Sequence, residues 1–86
     1  MSNWPEWWEW EIELSPHLLK RMSDRGFTET DLRTMMEQAS RLREDTEPGR
    51  WVVETRLHSR YWQVIVEPDT LDKLLVVITA FPVERP

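Results

Sequence analysis

His17, Arg21 and Arg25 stand four residues apart along the chain. On a helix that interval returns to one face, with Lys20 at its flank. Histidine can take or give a proton near neutral pH, and the planar guanidinium of arginine suits phosphate. Such a set is what metal-free RNA cleavage requires. A base removes the 2′-hydroxyl proton, a cation stabilises the charge growing on the phosphoryl oxygens, and an acid protonates the departing 5′ oxygen. His17 would sit in the first helical turn, where unpaired N–H groups and the dipole favour an anion. A plain structural reading stands beside this one: a solvated helix face on which Asp24 and Glu29 pair with the arginines.

A second group is His58, Ser59, Arg60 and Tyr61, with Arg50 and Glu54 upstream. Arg50, Glu54 and Arg56 share strand parity, so Glu54 could simply pair with both arginines. Ser59 beside His58 follows no nucleophile-elbow pattern, which argues against a serine triad. The two histidines are far apart and there is no cysteine, so no metal-ligand spacing exists and neither metal nor cofactor is expected. The third group is aromatic. Trp4, Trp7, Trp8 and Trp10 fall within the first ten residues, interleaved with Glu6 and Glu9. Trp8 and Trp10 would enter the core, leaving Trp4 and Trp7 to cover a groove or anchor a partner. The bland alternative is a strand that completes the sheet.

These groups need elements to hold them. Trp8, Trp10, Ile12 and Leu14 alternate with Glu9, Glu11 and Glu13, the period of a strand with one buried face. Ser15-Pro16 starts a helix predicted over 16–25, with Gly26 suited to the left-handed position after it. Thr28 and Asp31 form a capping-box pattern, and Leu32, Met35, Met36 and Ala39 give a second helix its apolar stripe. Methionines at that spacing are core filling. Leu42 begins a short strand. Segments 50–57 and 61–67 read as strands joined through His58-Ser59-Arg60, and Pro68-Asp69 as a turn. The apolar run within 73–81 reads as a strand covered on both faces, ended by Pro82. The expectation is an α+β fold: an N-terminal strand, two helices, then an antiparallel meander of three to four strands, helices on one face.

The chain has 86 residues, enough for one domain, with residues 1–7 as an N-terminal extension and 83–86 as a tail. Its acidic, proline-broken start is not a secretory signal, and no apolar run reaches the ~18 residues of a membrane span. A cytoplasmic location is expected. The net charge of −5 argues against avid, non-specific nucleic-acid binding. The charge is uneven, however: residues 1–14 carry four glutamates and no basic residue, while 15–64 hold nine basic and eight acidic residues. Nine of the 11 basic residues are arginine, the type that makes bidentate contacts.

The segment His17-Leu18-Leu19-Lys20-Arg21-Met22-Ser23-Asp24-Arg25-Gly26-Phe27-Thr28 resembles the H-x-x-x-R-M-x-x-R-G-[IF]-[ST] signature of a small bacterial domain family of unknown function. Val76-Val77-Ile78-Thr79-Ala80-Phe81-Pro82 is similar to that family's closing strand, and the resemblance spans about residues 13–83. The family in turn resembles RelE-type toxins and the wider barnase, EndoU and colicin ribonuclease group. The resemblance implies a metal-independent endoribonuclease of toxin–antitoxin type, with His17, Arg21, Thr79 and, more loosely, Arg60 as catalytic candidates. Phe81 stands where active relatives would carry tyrosine. Arg25, Lys20, Arg50 and His58 are candidates for phosphate or RNA binding, and Trp4 and Trp7 for a partner. The implied partners are an RNA substrate, a small antitoxin-like protein or a second copy. The alternative is a non-catalytic interaction module that uses the Trp/Glu-rich N-terminal strand.

Overall fold

The computed structural model describes residues 4–84. The ends of the expected extension and tail, residues 1–3 and 85–86, lie outside the described residues. Secondary structure runs as a 3-10 turn (Glu6–Glu9), β1 (Glu11–Leu14), α1 (Pro16–Arg25), α2 (Glu29–Glu37), β2 (Arg41–Glu44), β3 (Trp51–Leu57), β4 (Arg60–Asp69) and β5 (Leu74–Pro82). The fold is α+β. One five-stranded sheet has the order β1-β5-β4-β3-β2. β2 to β5 form an antiparallel meander, and β1 closes the far edge by pairing parallel to β5. α1 packs on β5 and α2 on β3.

Local chemistry explains the helices. The Ser15 hydroxyl accepts from the Leu18 N–H at 3.0 Å and donates to the Ile78 carbonyl at 2.9 Å, so one side chain caps α1 and ties it to β5. α1 stops at Gly26, whose φ of 68° is the left-handed conformation that glycine adopts without strain. α2 opens on a reciprocal capping box between Thr28 and Asp31. At its other end the last carbonyls need donors. Gln38 N–H serves Thr34 and Ala39 N–H serves Met36, while the Met35 carbonyl takes the hydroxyl of buried Thr55 on β3.

The core lies between helices and sheet. Leu18, Phe27, Leu32, Met35 and Met36 meet Val53, Leu57, Trp62, Val64, Val66, Leu75, Val77 and Ala80. Three expectations need correction. Residues 6–9 coil into a 3-10 turn, so the strand starts at Glu11, and Trp8 and Trp10 pack half-buried beside Trp4 and Trp7 rather than alternating with them. Pro68 and Asp69 continue β4 opposite Leu75 and Leu74 instead of turning. β5 alternates too: Leu75, Val77 and Ala80 are buried under the helices, whereas Leu74, Val76 and Ile78 are half-buried. The helix-side residues of its apolar run are fully buried, while those on the other face are only partly covered. Among the described residues no helix is long and apolar enough to cross a membrane.

Candidate functional site

α1 and the end of β5 bring two of the expected residues together across 54 positions of sequence. Arg25 Nη1 donates to Thr79 Oγ1 at 3.2 Å and to the Ala80 carbonyl at 2.9 Å, and its guanidinium lies 5.9 Å from the Phe81 ring centroid. The contact exists because β1 stops at Leu14, opposite Val77, and leaves the outer edge of β5 unpaired beyond it. Carbonyls on a bare edge need donors. Ser15 supplies Ile78 and Arg25 supplies Ala80. Guanidinium carries five N–H donors. Both Nη1 hydrogens are engaged, and among the described residues Nε and Nη2 of this exposed side chain have no hydrogen-bond partner.

The rest of the helix face is graded. His17 is exposed in the first turn, and Lys20 is exposed beside it. Arg21 is half-buried, paired with Asp24 at 3.1 Å as the plain structural reading anticipates, and its Nε is buried without a partner. Glu29 pairs instead with Arg33. Eight residues of α-helix separate His17 from Arg25, a rise of about 12 Å along the axis. The two therefore suit successive points along an extended anion rather than one atom.

The second group is not part of that face. His58 and Ser59 form the β3–β4 turn with φ of 50° and 67°, the left-handed pair of a tight hairpin. His58 Nε2 approaches Asp31 Oδ1 at 3.8 Å. The Thr28 backbone N–H, more than any other contact, holds the Asp31 carboxyl below its ordinary value, with smaller help from the Thr28 hydroxyl and His58 against partial burial. Arg60 is exposed at the start of β4. Arg50 is bound to Glu67 at 3.1 Å on the sheet face away from the helices. Glu54 pairs with Arg43 across the β2–β3 ladder at 3.0 Å, not with Arg50 and Arg56 along its own strand.

Two adjoining depressions went unseen in the sequence. One of about 360 Å³ touches Arg41, Glu54 and Gln63; the other, about 320 Å³, touches Arg56 and Arg60; Tyr61, Val83 and Glu84 border both. The Arg56 guanidinium stacks over Tyr61 at 5.2 Å. Spacing along the chain gave no signal for these depressions, because Arg41, Glu54 and Gln63 become neighbours only through the pairing of β2, β3 and β4. The N-terminal tryptophans are half-buried, and Trp4 borders a depression with Pro5, Leu42 and Trp51. Trp7 meets Trp51 at 5.4 Å and Trp4 meets Trp8 at 4.5 Å, all packed against the core. Among the described residues no cluster of three histidine or acidic side chains could hold a metal ion.

The family model described as a domain of unknown function (DUF4258) matches residues 14–82, and the chain belongs to that family. The matched span starts at the last residue of β1 and takes in both helices and β2 through β5. No curated protein and no solved structure matches the chain.

Proposed function

We propose that this DUF4258 domain is a metal-independent RNA endonuclease of the toxin–antitoxin type, acting along the exposed face of α1 and the free edge of β5. The observation that carries the reading is the Arg25–Thr79 contact, which unites the two sequence motifs of the RelE-like resemblance at one surface. In this reading His17 exchanges the proton of the 2′-hydroxyl or of the leaving oxygen. Arg21 stabilises charge on the neighbouring phosphoryl oxygens, with Lys20 at the flank. Arg25, braced by Thr79, grips the next phosphate through Nε and Nη2. Thr79 thus acts on the arginine, not on the phosphate. Arg60 and His58 would touch RNA only beyond this stretch, at the hairpin.

The test is cleavage of total RNA by purified protein in EDTA. Fragments with 2′,3′-cyclic phosphate ends are expected, abolished by His17→Ala and strongly reduced by Arg25→Ala. Intact RNA, or cleavage that His17→Ala leaves unchanged, overturns the proposal. One observation favours a second reading, a non-catalytic interaction module. Among the described residues, no strand pairs with the outer edge of β1, which carries Glu11 and Glu13.

A further inference from the structure

Among the described residues no strand pairs with either outer edge of the sheet, and the two edges carry opposite charges. At one end β1 places Glu11 opposite Leu74 and Glu13 opposite Val76, on the face away from the helices; Ile12 and Leu14 lie on the helix side, opposite Leu75 and Val77. At the other end β2 places Arg41 opposite Glu54 and Arg43 opposite Val52 on that same helix-free face, with Leu42 on the helix side, opposite Val53. Glu11, Glu13, Arg41 and Arg43 are all exposed. Arg41 has no ion-pair partner among the described residues.

We propose that the β1 edge of one copy pairs with the β2 edge of the next, joining chains head to tail into a continuous sheet. This deepens the interaction-module reading and is independent of catalysis. Strand direction permits it. β1 runs with β5, and three antiparallel steps then lead to β2, so the edges run in opposite senses. A copy shifted sideways, helices on the same side, meets its neighbour antiparallel.

The backbone agrees. The Ser15 N–H bonds inward to Val77, so by the two-residue period Glu11 and Glu13 also turn their peptide groups inward, and Ile12 and Leu14 turn theirs out. The Asp45 N–H bonds inward to Arg50, which likewise leaves Leu42 and Glu44 facing out. Setting Ile12 against Leu42 makes a mutually hydrogen-bonded pair. It also sets Glu13 against Arg41 and Glu11 against Arg43 in the non-hydrogen-bonded positions, where side chains approach most closely.

Like edges do not fit. Two β2 edges related by a twofold axis through Leu42 place Arg41 against Arg43. Two β1 edges through Ile12 place Glu11 against Glu13. The charges that repel these arrangements attract in the mixed one, so the occupant selected is a second copy in a heterologous contact, which grows past a dimer.

Glu13→Arg and Arg41→Glu in the full chain test this by sedimentation velocity, and neither replaces a member of the Arg43–Glu54 pair. Wild-type mass is expected to rise with concentration and to fall to the monomer near 1 M salt, where the screening length is about 3 Å. Each reversal alone is expected to weaken association by about tenfold or more. An equimolar mixture of the two variants, and both changes in one chain, should recover it. Matching tryptophan fluorescence verifies that the variants fold. Self-association that ignores either reversal overturns the edge pairing while leaving an interaction module by another surface. A wild-type chain monomeric at every concentration overturns self-pairing outright and leaves the module reading only a foreign partner.

Discussion

Replacing Thr55 by valine separates two accounts of how α2 is held. Thr55 is 2% exposed, at the centre of β3, and its hydroxyl is the donor to the Met35 carbonyl in the last turn of α2. Burial and strand propensity alone favour valine: an added methyl in the core returns at most about 0.8 kcal/mol, and valine suits a strand. Against this, the Met35 carbonyl loses its donor, because the Ala39 N–H that might serve it bonds Met36 instead. A buried carbonyl left unpaired costs about 2 kcal/mol. The balance is a loss of about 1 kcal/mol, or roughly 4–8 °C in Tm for a domain of this size. Heat and urea denaturation followed by tryptophan fluorescence measure it. Thr55→Ser and Thr55→Ala isolate the hydroxyl, since they differ only in that group, and alanine should be the less stable. A Thr55→Val protein as stable as wild type, or an alanine variant matching serine, refutes the hydroxyl's role as the helix's terminal cap.

Ser15→Ala removes both the acceptor for the Leu18 N–H and the donor to Ile78. Loss of the cap and of one tertiary hydrogen bond should cost about 2 kcal/mol, read as a fall in the urea midpoint at unchanged slope. Acid should loosen the start of α2. The Asp31 carboxyl is held below its ordinary 3.8 in the folded chain, so its contribution is complete above that pH and is lost as the pH falls through the lower folded value. Asp31→Asn should flatten this acid limb in pH-dependent unfolding, and an unchanged limb would assign it to other carboxylates.

What was legible in the sequence was what local chemistry decides. Ser15-Pro16, Gly26 and the Thr28–Asp31 pair mark helix boundaries because each satisfies or ends a specific set of backbone groups within a few residues. The β3–β4 connection was legible as a hairpin. Its tightness was not, since His58 and Ser59 hold a left-handed pair that asparagine and glycine adopt far more readily. The tryptophan run misled. Alternation with glutamate fits a strand, but Pro5 and the Trp8 N–H bond to its carbonyl close a 3-10 turn first. The arrangement of the sheet was hidden for another reason. Nothing in residues 11–14 tells whether they pair with the next strand in sequence or, as they do, with the last.

The candidate site depends on one such hidden feature. Along β5 the buried positions step from Leu75 to Val77 and then to Ala80, a stride of two followed by three. The register slips there, since Val66 faces Val77 while Ile65 faces Thr79, leaving Ile78 as the extra residue of a bulge. Unbroken alternation would bury Thr79 beneath the helices and aim Ala80 outward. The bulge reverses the two, filling the core with a methyl and putting the hydroxyl at the bare edge, where Arg25 closes on it. Removing the bulge would therefore take Thr79 from Arg25 while leaving both motifs of the sequence intact. The convergence is a property of backbone register, and no spacing rule applied to the helix or the strand alone could have produced it.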